Sequence, residues 1–147
     1  MTTNIELINI AKSLCIPNFY CIMIDELDKV LTSSFPISII CNLQDSSENG
    51  SHWVMCFISS KSKRLGFHPT KRLGFYPTKI FYCSYGSPIP NKIKNFLMKI
   101  NTDPILSSNF QIQDFNENTC GYYCLLILYL LNEGLNFEDI ILSLKDK

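Results

Sequence analysis

The chain has 147 residues, with 13 basic and 13 acidic side chains and a formal charge of zero at neutral pH. That is the length of one domain, and a composition of 46% hydrophobic and 18% charged residues excludes a disordered chain. The longest apolar run, around Cys124 to Leu131, is too short for a membrane span of ~20 residues.

In chain order, Met1 to Ile10 carries Glu6 and no basic start, so no signal peptide is expected. Thr3 and Glu6 have capping-box spacing ahead of an apolar run, which predicts a helix to about Leu14, stopped by Pro17. Phe19 to Ile24 reads as strand-like or buried, and Asp25 to Leu31 as a short polar–apolar segment of one or two helical turns. Ile37 to Leu43 follows Pro36 as a buried strand. Asp45 to Gly50 has turn chemistry, and His52 to Ile58 is a second buried strand. Lys79 to Tyr85 is a third. Ile93, Phe96, Leu97 and Ile100 fall at helical spacing in Asn91 to Ile100. Phe110 to Gln113 reads as a short strand. Cys120 to Glu133 is apolar on nearly every face, which predicts a buried helix closed by Gly134. Asn136 caps a last helix, expected to fray after Ser143. Strands in the middle and helices at both ends make an α+β domain.

Between the second and third strands KRLGFHPT (63–70) is repeated as KRLGFYPT (71–78), a tandem duplication that lengthens one loop. The repeat belongs to a stretch, Lys61 to Thr102, that holds nine basic residues and no acid. Such a block attracts polyanions, and nucleic acid would be met by Lys61, Lys63, Arg64, Lys71, Arg72 and Lys79. A solvated positive face is the plainer reading. The seven cysteines lie mostly inside apolar segments and include no C-x-x-C, which points to free thiols in a reducing compartment rather than a disulfide framework.

Two residues stand where chemistry can occur. His52 opens an apolar strand immediately after a turn, beside the only tryptophan, Trp53. Cys120 follows a polar loop and begins the buried helix, where the positive dipole end favours a thiolate. A single His elsewhere in a chain can meet such a Cys in space. Gly121 leaves room for a substrate backbone beside the sulfur, and the Gln113 side chain can donate to an oxyanion. Cys124, one turn on, reads as a small buried hydrophobe.

Asn-Gly-Ser-His-Trp (49–53), Phe-Tyr-Cys-Ser-Tyr-Gly (81–86), Gln113 and Thr-Cys-Gly-Tyr-Tyr-Cys-Leu (119–125) occur in that order. Together they resemble the adenovirus protease (adenain) group and its relatives in large virus-like DNA transposons of the Maverick/Polinton type. Ile-Pro-Asn-Phe (16–19) and Asp25-Glu26-Leu27 also resemble the transposon-encoded forms. More distantly, the chain is similar to the ubiquitin-like-protein-specific cysteine proteases. The resemblance runs from about Leu14 to Leu144.

The resemblance implies a single cysteine-protease-like domain over residues 1–147. Its architecture would be a mixed central sheet of about four or five strands, with the Cys120 helix packed at its centre. Cys120 would be the nucleophile, and His52 its general base and later acid to the leaving amine. Gln113 and the Cys120 backbone N–H would form the oxyanion hole, and Trp53 would wall the cleft. The activity implied is endopeptidase cleavage of viral or virus-like-element precursors in a monomeric protein of the host nucleus, host cytoplasm or virion. No cofactor is required by that chemistry, although DNA or an activating peptide would be partners by resemblance.

One position departs from the family. Cys83 stands where the family has the acid that orients the imidazole, and a neutral thiol is a weak hydrogen-bond partner. Losing that acid costs a serine triad about 10⁴-fold in kcat. A Cys–His pair tolerates the loss better, because the thiol paired with His can already have a pKa of ~3–4. Asp103 and Asp114 are the nearest acids beyond the strand, and nothing in the sequence places either beside His52. The expectation is impaired activity. The alternatives are an inactive protease fold that binds protein, or a deconjugating enzyme for ubiquitin-like proteins. If His52, Cys83 and Cys120 converged, one imidazole and two thiols would suit zinc. Triad geometry argues against all three reaching metal–ligand distance, so no metal site is expected.

Overall fold

A computed structural model of the protein describes residues 3–47, 52–59, 79–112 and 119–145. One mixed five-stranded sheet forms its centre, in the order β1 (Phe19–Met23), β2 (Ile37–Asn42), β3 (Trp53–Ile58), β4 (Lys79–Tyr82), β5 (Ile105–Ser107). The outer pairs β1–β2 and β4–β5 are parallel, and the inner pairs β2–β3 and β3–β4 are antiparallel. Four α-helices accompany it among the described residues: α1 (Asn4–Ser13), α2 (Asn91–Ile100), α3 (Cys120–Asn132) and α4 (Phe137–Lys145). The α+β class and the mixed sheet expected from sequence are therefore present.

Period-two alternation along β3 explains why both faces of the sheet are covered. Trp53, Met55 and Phe57 enter a core with Leu7 and Ala11 of α1, Cys124 and Leu128 of α3 and Phe137 of α4. Val54, Cys56 and Ile58 enter a second core with Leu27 and with Ile93 and Leu97 of α2. All six β3 residues are buried, so this strand is apolar throughout, as a two-sided strand must be.

Local chemistry sets the helix limits. Thr3 and Glu6 close the expected capping box on α1. Residues Ile24–Lys29 form a 3₁₀ helix, with Glu26 accepting from the Met23 N–H at 2.9 Å. Asp25 ties that turn to Ser46 through the Ser46 N–H at 2.9 Å and hydroxyl at 2.7 Å. Helix α3 stops where Gly134 takes φ +92°, a value that favours glycine. Asn136 Oδ1 accepts from the N–H groups of Glu138 and Asp139 to start α4.

Three expectations are corrected. The fifth strand is Ile105–Ser107; residues 110–112 form no strand, and Gln113 lies outside the described residues. Strand β4 ends at Tyr82, and its ladder with β5 is used up by Ser107 pairing with Phe81. Helix α4 continues past Ser143 to Lys145, because Leu144 packs on the core and the Lys145 ammonium lies 5.1 Å from the Phe110 ring centre. Lys79 does not face solvent. It is fully buried and donates to Asn101 O at 2.7 Å and Leu97 O at 3.2 Å, at the C-terminal end of α2. A lysine spent on those carbonyls is not a DNA contact. Burial lowers its pKa, with Asp103 opposing. Lys61, Lys63, Arg64, Lys71 and Arg72, and with them the duplicated segment, lie outside the described residues.

Candidate active site

His52 sits one residue before β3, and Cys83 one residue after β4, at the same end of two neighbouring strands. That placement follows from the antiparallel register, in which Met55 faces Tyr82. Continued past the end of the ladder, the same register sets Tyr85 across from His52. The two rings are indeed stacked, with centroids 4.2 Å apart and planes 10° from parallel. A tight turn closed by the Gly86 N–H on Cys83 O at 2.8 Å brings Tyr85 back over the imidazole. Gly86 permits it with φ +77°, where a Cβ would also collide with the Asn109 carbonyl.

With the ring plane so held, Nε2 of His52 is 3.1 Å from Sγ of Cys83. The other ring nitrogen, Nδ1, is buried and has no hydrogen-bond partner among the described residues. Burial pushes the His52 pKa down to about 4, so the imidazole is neutral at pH 7. A carboxylate at position 83 would oppose that shift, and a neutral thiol does not.

Cys120 is the first residue of α3 and only 6% exposed. The Thr119 side chain makes no capping hydrogen bond to the helix, and the first-turn N–H groups have no intrahelical acceptors. The Trp53 N–H reaches the Cys120 Sγ at 3.4 Å, which aims a donor at the atom where a nucleophile carries its charge. One turn further along, Cys124 Sγ donates to the Trp53 carbonyl at 3.6 Å. Burial raises the Cys124 pKa well above that of an ordinary thiol. The α3 N-terminus is thus pinned by two sulfur contacts to the backbone of the residue that follows His52.

The geometry joins the expected residues in two pairs rather than in one chain. His52 meets Cys83, and Cys120 meets the Trp53 amide, but no hydrogen bond links His52 to Cys120. Cys83 belongs to the core on the α2 side of the sheet and Cys120 to the core on the α3 side. No group of three metal-binding side chains is present among the described residues, so the zinc arrangement of His52, Cys83 and Cys120 does not form. Gln113 lies outside the described residues. Ile112 just before it donates its N–H to Ser84 O at 2.9 Å, beside Cys83.

Trp53 and Gly121, expected at the substrate cleft, are both buried. Trp53 is 4% exposed and packs with α1 and α3, and its backbone makes the two sulfur contacts to α3. The space a side chain at Gly121 would take is filled by Leu7, whose Cδ2 would lie 3.0 Å from a Cβ, and by Trp53 Cδ1 at 3.4 Å. The glycine therefore serves the approach of α3 to α1 and β3. Tyr85 is the site residue missed at the sequence level. The strand register, which sets it opposite His52, is the signal that finds it.

No helix among the described residues is long and apolar enough to cross a membrane. No protein-family model matches the chain, and no curated protein matches it significantly.

Proposed function

We propose that the chain is a cysteine endopeptidase of the adenain type, acting on precursor proteins of a virus or virus-like element and weakened by Cys83. Cys120 attacks the scissile carbonyl and forms a thioester, and His52 takes the thiol proton and returns it to the leaving amine. Gln113 and the first-turn N–H of α3 hold the oxyanion. The observation that carries this reading is the pairing of His52 Nε2 with Cys83 Sγ at 3.1 Å, while Cys120 Sγ lies 3.4 Å from the adjacent Trp53 N–H. His52, Cys83 and the helix-N-terminal Cys120 lie at one end of the sheet, which supports this reading. Resting hydrogen bonds of catalytic groups are often long and tighten only with substrate, so the open His52–Cys120 link is compatible with it.

The test is cleavage of unfolded protein substrates by the purified full chain, read as new N-termini by mass spectrometry. Cleavage is expected to be slow in the parent, absent in Cys120→Ala and faster in Cys83→Asp. The second reading, a protease fold that only binds protein, is favoured by the same open link and by the neutral thiol at position 83. A folded Cys83→Asp variant that cuts nothing gives that reading the field. DNA is a proposed partner of the basic segment. Salt-dependent binding that is lost when Lys63, Arg64, Lys71 and Arg72 are neutralised supports it.

A further inference from the structure

We propose that Cys83 is a positioning residue that sets the resting tautomer of His52. Its S–H donates to Nε2, and the single ring proton is thereby held on Nδ1. The contact is between neutral groups, and of its two possible directions one is stronger. An imidazole nitrogen lone pair is a good acceptor, whereas a neutral sulfur is a poor one, so S–H···N prevails over N–H···S. Among the described residues no other hydrogen bond reaches the ring: Nδ1 has no partner there, so the contact at Nε2 is the one that acts against the ordinary preference of a neutral histidine for the Nε2–H form. Tyr85, stacked 4.2 Å away at 10°, opposes the ring flip that would put carbon atoms where the two nitrogens now stand.

The consequence for catalysis rests on the peptidase reading; the position of the proton does not. With Nε2 engaged by Cys83, Nδ1 is the nitrogen left to accept the Cys120 proton. In the resting tautomer that nitrogen already carries a hydrogen and has no lone pair to offer. Before His52 can act as a base, the ring proton must leave Nδ1 and be restored at Nε2, and the Cys83 hydrogen must turn away. Neither residue changes its total number of protons. An acid at this position does the reverse, since it only accepts and therefore holds the proton on Nε2. Enforcing the wrong tautomer in a serine triad lowers kcat about 10⁴-fold, which sets the scale of what Cys83 withholds.

The test reads the proton directly. The chain has two histidines, and His68→Tyr copies the residue of the other repeat, leaving His52 as the only imidazole. Long-range proton–nitrogen correlation spectra of this full-length protein, labelled with nitrogen-15 in histidine at neutral pH, distinguish the protonated nitrogen from the bare one. The expected result is a protonated Nδ1 and a bare Nε2. Cys83→Ala, which removes the donor without adding charge, is expected to shift the population towards protonated Nε2, and Cys83→Asp to complete that shift. A parent protein protonated on Nε2, or a tautomer unmoved by Cys83→Ala, overturns the inference. The peptidase reading fails separately: an Nδ1–H parent whose Cys83→Asp variant folds but cleaves nothing keeps this inference and removes that one.

Discussion

His52 Nε2 lies 3.1 Å from Cys83 Sγ, and Tyr85 is stacked on the same imidazole. A histidine clamped in this way is positioned by two residues from one turn. Neither of them supplies the negative charge that would keep a buried imidazole basic.

Replacing that thiol with an acid is the most direct kinetic test. Cys83→Asp should raise kcat/KM by at least about 10-fold, and move the pH dependence of the rate, because the carboxylate favours both the Nε2–H form and the imidazolium. Cys83→Ser, neutral like the parent residue, should give no such gain. Equal rates for Asp and Ser would show that charge at position 83 is irrelevant to the chemistry.

Stability should depend on acid through His52. Its folded pKa is about 4 against about 6.5 in the unfolded chain, so between these values the unfolded state binds more protons. Stability is therefore fully present above about pH 6.5 and falls as the pH drops towards 4, by on the order of 1–2 kcal/mol once partial exposure is discounted. Denaturant titrations of the parent and of His52→Gln across this window check it. The same slope in both proteins would place the proton uptake elsewhere.

Alkylation should separate Cys120 from its neighbours. Burial pushes Cys21 and Cys41 up to about 12, and Cys56 and Cys124 well above the ordinary value, so all four should resist a charged electrophile at neutral pH. Cys15 is exposed and serves as the internal reference. If Cys120 is the nucleophile, peptide mapping should show it reacting about 10-fold or more faster than Cys15 despite its burial. A rate at or below that of Cys15 removes the nucleophile from the proposal.

Gly121→Ala should act on stability rather than on substrate affinity. The added methyl would meet the Leu7 side chain at 3.0–3.2 Å, and Leu7 is fully buried with little room to yield. Overpacking should outweigh the ~1 kcal/mol helix gain of alanine over glycine, for a net loss of about 1 kcal/mol. In a double-mutant cycle, Leu7→Ala should relieve part of that loss. Unchanged stability with a weakened KM would restore Gly121 as a substrate contact.

Lys79→Met should cost roughly 1–3 kcal/mol, since it removes the hydrogen bonds that the ammonium donates to the Leu97 and Asn101 carbonyls. Denaturant unfolding measures the loss. Any DNA affinity should be unchanged by it, and a drop in affinity in a still-folded variant would contradict the structural role.

Patterns that act over a few residues were readable along the chain. The Thr3–Glu6 box, the stop at Gly134, the cap at Asn136 and the apolar run of Cys120 to Leu131 each depend on neighbours within a turn or two, so periodicity and capping chemistry suffice to place them. Other features required the sheet to assemble. Lys79 reads as one more cation in a basic block, and only the packing of β4 beside the end of α2 turns it into a buried donor. Gly121 reads as an open position until α1 brings Leu7 against it. The strand at Ile105–Ser107 gains its identity from a parallel partner more than twenty residues away, which no local pattern encodes. His52, Cys83 and Cys120 could be named from sequence as candidates. That Nε2 faces the Cys83 sulfur was decided by the β3–β4 register and the Tyr85 turn, and the role of an imidazole depends on the contacts of its nitrogens.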